Sequence, residues 1–204
     1  MRLHEAKRDL YRRLAKAQGY NSRAAFKLLE ANAKYRFIKS GDRVIDFGAA
    51  PGGWMQVASD LVGPKGMVVG IDLDQIHLKE KNVSVLVLDV NDPSASMKAS
   101  GLLGGPADVV LSDLAPSVSG VWELDQATQV DLTLRVLELS GVLLKKGGSG
   151  FLKLFEGERS QEVRNAMRKS FEIVRAFKPA ASRSASSELY YYCDGWLGPS
   201  GGND

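Results

Sequence analysis

The chain has 204 residues, of which 44% are hydrophobic and 25% charged, the values of one ordinary globular domain with enough length to bury a core. No apolar run reaches the ~18 residues of a membrane-spanning helix, and the charged opening Met1-Arg2-Leu3-His4-Glu5 lacks the apolar stretch of a secretory signal. Cys193 is the single cysteine, and His4 and His77 are the two histidines, far apart in sequence. An internal disulfide is therefore excluded, no metal site is expected, and the setting is expected to be the reducing cytoplasm, with no membrane partner. The net charge is +3, but residues 1–40 alone hold eleven Lys/Arg against three acids, which leaves +8 there and −5 in the remainder. A basic end on a slightly acidic body predicts a face for a polyanion.

The pattern predicts helices over 5–17 and 22–34, separated by Gly19-Tyr20-Asn21, with Ser22 as the N-cap of the second. After Lys39-Ser40-Gly41-Asp42 the chain alternates. Strands are predicted over 43–47, 66–72, 83–89, 107–112, 150–155, 171–177 and 189–194, and helices over 53–62, 93–100, 126–144 and 160–170. Runs such as Val83-Ser84-Val85-Leu86-Val87-Leu88 and Asp108-Val109-Val110-Leu111 suit parallel strands covered on both faces. The last two strands follow each other without a helix. A seven-stranded, mostly parallel α/β sheet with one antiparallel edge strand is expected, preceded by the N-terminal helices. One domain spans 1–204, with basic helices in 1–40, the α/β core in 41–196 and a frayed tail in 197–204.

The first strand runs into Asp46-Phe47-Gly48-Ala49-Ala50-Pro51-Gly52-Gly53-Trp54. A strand, a glycine-rich turn and a helix in that order form the nucleotide-binding edge of an open parallel sheet. The spacing of Gly48, Gly52 and Gly53 departs from the G-x-G-x-x-G of dinucleotide sites. Pro51 fixes its own φ, and Gly52 and Gly53 permit close backbone approach. Asp72 ends the second strand, where an acid accepts bonds from ribose hydroxyls, and Asp89 ends the third, within reach of an adenine amine. With Asp46 this makes three acids, which would repel a pyrophosphate and suit the cationic S-adenosylmethionine. NAD, and with it an oxidoreductase, is the alternative for this turn taken alone.

Four further segments follow in register: Ser22-Arg23-Ala24-Ala25-Phe26-Lys27-Leu28, Leu111-Ser112-Asp113-Leu114-Ala115-Pro116, Phe151-Leu152-Lys153-Leu154-Phe155-Glu156-Gly157-Glu158 and Ser182-Arg183-Ser184-Ala185-Ser186-Ser187-Glu188-Leu189-Tyr190. With the glycine turn, the set resembles the FtsJ/RrmJ (RlmE-type) family of RNA ribose 2′-O-methyltransferases over about Tyr11 to Trp196. The resemblance implies a class I methyltransferase fold, a Rossmann-like three-layer sandwich, with S-adenosyl-L-methionine as donor and S-adenosyl-L-homocysteine as product. It implies a catalytic tetrad of Lys27, Asp113, Lys153 and Glu188. It implies cofactor contacts at Gly52, Trp54, Asp72, Asp89 and Asp113, with Asp46, Gly48, Pro51 and Gly53 as secondary candidates. It also places Ser117 to Trp122 in a loop at the mouth of the site. Phe26 stands where the family also uses tyrosine or tryptophan, and the chain carries no appended RNA-binding domain.

The tetrad makes chemical sense by residue type. Methyl transfer to a hydroxyl is an in-line displacement that must shed the hydroxyl proton, and a positioned base contributes about 10²–10⁴-fold. A lysine inside an apolar strand is unusual, which makes Lys153 the candidate proton acceptor. Burial beside a second cation, Lys27, favours a neutral amine, and the acids Asp113 and Glu188 oppose that. The expected partner is large-subunit ribosomal RNA, at a uridine, bound by a monomer, with no DNA. A transfer RNA anticodon loop is the alternative acceptor, and a non-catalytic assembly factor the alternative class. Arg8, Arg12, Arg13, Lys16 and Arg23 are the candidate RNA contacts, since phosphates bind basic side chains without regard to base identity. Tyr11, Tyr20 and Tyr35 are expected in the core rather than stacked on bases.

Overall fold

Two helices lead into an alternating core in the computed structural model, which describes the backbone of residues 3–117, 119–182 and 187–198 and side chains from Leu10 onward. The helices are α1 (Leu3–Ala17) and α2 (Ala25–Tyr35). The core follows as β1 (Arg43–Phe47), α3 (Gly53–Val62), β2 (Met67–Asp72), β3 (Val83–Val87), α4 (Ala95–Leu103), β4 (Ala107–Ser112), α5 (Trp122–Leu143), β5 (Leu144–Phe155), α6 (Ser160–Ser170), β6 (Phe171–Phe177) and β7 (Glu188–Trp196). Among the described residues, no helix is long and apolar enough to cross a membrane.

The seven strands form one sheet in the order β3-β2-β1-β4-β5-β7-β6. The first five are parallel, and β7 runs antiparallel to both β5 and β6. The reversed strand at this edge thus lies one place in, with β6 outside it. Period-2 alternation divides the strands between two cores. Val44, Leu111, Phe151, Tyr190 and Tyr192 pack with Leu28 of α2 and Trp54 and Met55 of α3. Ile45, Phe47, Val110, Leu152 and Leu154 pack with Leu137 and Met167 on the opposite face, under α4, α5 and α6. This is a three-layer sandwich, and each fully buried side chain of this size stabilises it by about 1.5–3 kcal/mol.

Several boundaries differ from the sequence pattern; β3 stops at Val87, so Asp89 lies just beyond the strand rather than at its end, and three further differences have a local cause. α5 starts at Trp122 rather than Gln126, because nothing in Trp122-Glu123-Leu124-Asp125 breaks a helix and its two acids favour a first turn. β5 starts at Leu144, which pairs with Ala107; the register then breaks before Ser149 meets Val109, so the glycines Gly147 and Gly148 sit in an irregular part of a strand rather than ahead of it. Ser22 does not cap α2. Ala24 holds the N-cap position without a side-chain bond, and the Ser22 carbonyl accepts the Ala25 N–H at 3.3 Å instead.

The strand order reverses between β1 and β4. The loops leaving the carboxyl ends of these two strands part there, opening the crevice in which α/β sheets hold ligands.

Candidate active site

Gly48 leaves β1 at φ +76°, a left-handed conformation that glycine adopts freely, and a Cβ there would lie 2.7 Å from the Leu114 backbone nitrogen. The β1 and β4 loops therefore touch backbone to backbone. Beside this contact lies a cleft of about 380 Å³, lined by Gly48, Ala50, Asp72, Asp89 and Asp113 with apolar walls that include Leu73 and Val90. Its size falls within the ordinary range for a small-molecule site. Asp72 accepts the Ala50 N–H at 2.9 Å and the Asp74 N–H at 3.0 Å, and Asp89 accepts the Asn91 N–H at 2.8 Å. Each carboxylate keeps lone pairs for a ligand's hydroxyl or amine.

The rest of the glycine turn points elsewhere. Pro51, Gly52, Gly53 and Trp54 are not among the residues lining the cleft. Trp54 is 3% exposed, donates its indole N–H to the Ala24 carbonyl at 2.7 Å, and packs on Phe151 and Tyr190. The Pro51 carbonyl accepts from the Asn21 side chain at 2.8 Å, and a Cβ on Gly53 would meet the Ser22 hydroxyl at 2.4 Å. These residues seat α2 against α3. Asp46 is fully buried beneath the crevice and neither of its oxygens makes a hydrogen bond. Burial, then Asp113 and Asp72, push its carboxyl well above the usual carboxylate range, which favours the neutral form. The acids lining the cleft are Asp72, Asp74, Asp89 and Asp113, and Asp46 is not among them.

Lys27, Asp113, Lys153 and Glu188 converge on one point from α2, the end of β4, β5 and the start of β7. Lys153 shares the Phe151 face of β5 and pairs across the ladder with Tyr190. Its Nζ donates to the Asp113 carbonyl at 2.6 Å and lies 3.1 Å from the Asp113 carboxylate. Lys27 sits on the buried side of α2 and bonds Glu188 Oε1 and the Tyr190 hydroxyl, each at 2.7 Å. Both lysine side chains are under 10% exposed, whereas Asp113 and Glu188 are 19% and 16% exposed at the rim. Burial alone would raise the Asp113 carboxyl. Lys153 and Lys27, with hydrogen bonds from Tyr190 and Lys153, outweigh it and hold the group below its usual value, ionised at neutral pH.

Three participants escape a reading by motif. Tyr190 bridges the two halves of the cluster, accepting from Lys27 and donating to Asp113 at 2.6 Å. Burial, then Asp113 and Glu188, push its phenol well above the ordinary value, so it remains a neutral bridge. The signal was its place two residues after Glu188 on a strand, which puts both on one face. From the opposite face, Gln129 and Thr133 of α5 each donate to the Lys153 carbonyl at 3.1 Å, and Gln129 also accepts the Phe155 N–H at 3.1 Å. The β4–β5 pairing ends at Ser112 and Leu152, so the backbone at Lys153 has no strand partner on that side. These two buried polar side chains replace it and fix where the lysine stands. Their spacing of four residues on one helix face was visible, but buried glutamine and threonine carry no chemical signature by themselves.

A family model for FtsJ-like methyltransferases matches residues 20–196. The chain belongs to the FtsJ-like methyltransferase family. Similar relatives include proteins named ribosomal RNA large subunit methyltransferase E. One from Methanothermobacter thermautotrophicus is 46% identical, with 91% of this chain and 89% of its own covered; one from Coxiella burnetii is 42% identical over 96% and 94%. Among solved structures, a Plasmodium falciparum protein described as a ribosomal RNA methyltransferase superposes with a TM-score of 0.77 at 27% identity, covering 88% of this chain and all of its own. Aeropyrum pernix fibrillarin, solved with natively bound S-adenosyl-L-methionine, superposes at 0.57 with 16% identity over 83% and 73%, a likeness of fold.

In this FtsJ-like methyltransferase the basic helices carry a second hollow, of about 480 Å³, lined by Arg12, Ala15, Lys16, Tyr20, Asn21, Ser22 and Arg23. Arg12, Lys16 and Arg23 are thus brought together. Arg13 is exposed but outside that hollow, and the Arg8 side chain, like Val118 and Arg183, lies outside the described residues. The tyrosines are packed: Tyr11 and Tyr20 flank Phe26 at 5.4 and 6.0 Å between ring centroids, and Tyr35 stacks on Tyr192 at 4.2 Å.

Proposed function

We propose that this chain transfers the methyl group of S-adenosyl-L-methionine to a ribose 2′-hydroxyl of RNA, at a uridine of the large ribosomal subunit, acting as a monomer in the cytoplasm. The observation that carries this reading is the double position of Asp113. Asp113 borders the cleft, and its carboxylate is bonded to Lys153 and, through Tyr190, to Lys27. A donor site and a proton-handling site thus share one residue, as a transfer between two bound molecules requires.

The residues fit the donor. Asp72, Asp89, Leu73 and Val90 all line the cleft; Asp72 would accept from the ribose hydroxyls, Asp89 from the adenine amine, and Leu73 and Val90 would cover the faces of the base. The crevice is acidic, which suits a cation. When bound, S-adenosyl-L-methionine would supply an electrophilic methyl group on a sulfonium. Lys153 makes two contacts with Asp113, leaving its remaining direction to address the acceptor hydroxyl; the ammonium has no lone pair, so it takes that hydroxyl's proton only after giving up its own. Lys27 and Glu188, tied to each other, stand where they can hold the neighbouring ribose and phosphate oxygens. The chain's one cysteine, Cys193, is buried in the opposite core with its thiol pushed up by burial, so it is not placed to serve as a nucleophile.

Mapping ribose methylation on total RNA from cells with and without the protein tests the reading. A single 2′-O-methyluridine in large-subunit RNA that depends on the protein is the expected result. Dependence confined to transfer RNA would move the acceptor, and methylation of a base atom would overturn the reaction. The Arg12, Lys16 and Arg23 hollow is the proposed phosphate contact. Replacing Arg12 and Lys16 together by alanine should lower the slope of log affinity against log salt by roughly 1.4 for single-stranded RNA, at about 0.7 per lost contact. Filter binding across a salt series checks this, and an unchanged slope removes the assignment.

A further inference from the structure

Trp122 opens α5 and is 44% exposed, between Val121 and Leu124, which are 54% and 56% exposed. Its ring is stacked on Phe155, with centroids 5.8 Å apart and planes 24° from parallel. Phe155 lies two residues after Lys153 on β5, and the Lys153 Nζ lies 5.8 Å from the centroid of the Phe155 ring. A line of flat apolar surface therefore runs from the proton acceptor outward to solvent. The turn that presents it is held: the buried Asp125 accepts the Ser119 N–H at 2.9 Å, and the Val121 carbonyl accepts the Asp125 N–H at 3.0 Å.

We infer that Trp122, backed by Phe155, is the platform on which the base of the acceptor nucleotide stacks while its ribose is methylated. The inference rests on the ribose 2′-O reading above. The base is attached to the ribose carbon next to the one bearing the hydroxyl, so a ribose at Lys153 must place its base close by. Every nucleobase offers a π-face, and aromatic rings hold such faces without reading their edges. A base within a duplex is already stacked on both sides, so a platform of this kind selects a nucleotide that is unpaired or swung out of its helix. The acceptor is thereby narrowed to an unstacked nucleotide. Continuity with Lys153 favours RNA over a protein as the occupant.

The test compares wild type, Trp122→Ala and Trp122→Phe on large-subunit RNA lacking the modification, both free and assembled into subunits, and on a short RNA whose acceptor nucleotide is intact or abasic. Trp122→Ala should lose about ten- to hundredfold in kcat/KM, and Trp122→Phe should recover most of it. S-adenosyl-L-methionine affinity by calorimetry and the thermal midpoint should stay at wild-type values, which separates stacking from a structural role. The abasic RNA should lower the wild-type rate and leave Trp122→Ala little further to lose. A wild-type rate for Trp122→Ala, or losses from the two changes that multiply, overturns the platform. So does a loss seen only on assembled ribosomal subunits, which would assign the patch to protein contact. If wild type methylates neither these RNAs nor assembled large subunits, the ribose reading itself fails, and the platform with it.

Discussion

Lys153→Ala should lose about 10²–10⁴-fold in methyl transfer while its affinity for S-adenosyl-L-methionine stays within a few fold of wild type. The Lys153 amine is the group bonded to Asp113 on two sides, and no donor contact is proposed for it. The variant also leaves a buried carboxylate short of one cation, and breaking such a pair costs about 3–5 kcal/mol. A lower thermal midpoint is therefore expected, softened by the link that Asp113 keeps to Lys27 through Tyr190. Single-turnover rates with tritiated donor, read beside calorimetry, separate chemistry from stability. Lys153→Arg sharpens the result. A guanidinium keeps the charge but gives up no proton at working pH. Activity near wild type in either variant would remove Lys153 as the proton acceptor; activity in the arginine variant alone would leave it as a fixed charge.

Gly48→Ala should weaken S-adenosyl-L-methionine binding by more than about tenfold and lower the thermal midpoint by several degrees. An L-residue at the left-handed φ of +76° costs roughly 1–2 kcal/mol, which is worth about 2–4 °C per kcal/mol in a domain of this size. The larger effect is the clash. The new Cβ would meet the Leu114 nitrogen at 2.7 Å and its Cα at 2.8 Å, and backbone has no rotamer into which it can retreat. The β4 loop must shift, and it carries Asp113, so both the cleft and the Lys153 contact move. Gly41→Ala is the control, because Gly41 has a φ of +88° and an added methyl group there would meet nothing within 4 Å. It bears the conformational cost alone. Equal behaviour of the two variants by differential scanning calorimetry and ligand titration would show that the close approach at Gly48 is unimportant.

Much of this site could be read from residue order because its chemistry lies at the ends of strands, where the pattern changes sharply. Asp72, Asp89 and Asp113 each follow an apolar run rich in valine or isoleucine, and Lys153 interrupts the apolar run Phe151-Leu152 and Leu154-Phe155, so each stands out from its surroundings. The roles that stayed hidden belong to residues whose types are ordinary for their positions. Tyr190 sits in a run of three tyrosines on a strand, where an aromatic is the expected core residue, and only the ladder register shows its hydroxyl between Lys27 and Asp113. Gln129 and Thr133 serve backbone atoms, a task with no motif. Conversely, Asp46 and Trp54 looked like ligand contacts because they flank the turn, yet strand alternation and the start of α3 turn both side chains into the core. A glycine-rich stretch also blurred the start of β5, since Gly147 and Gly148 resemble a turn where the sheet merely changes register.

The placing of β7 has a consequence in time as well as in space. Lys27 and Glu188 are separated by 161 positions in the chain, and their contact needs β7 in its place between β5 and β6. Loops of that length form slowly, because the entropy of closure must be lost before any contact repays it. The first five strands can pair in parallel and the donor crevice between β1 and β4 can take shape while Glu188 and Tyr190 are still being synthesised. A growing chain would then be able to hold its methyl donor before it can use it. Competence to transfer comes with the last strand, so enzymatic activity doubles as a report that the whole sheet has closed.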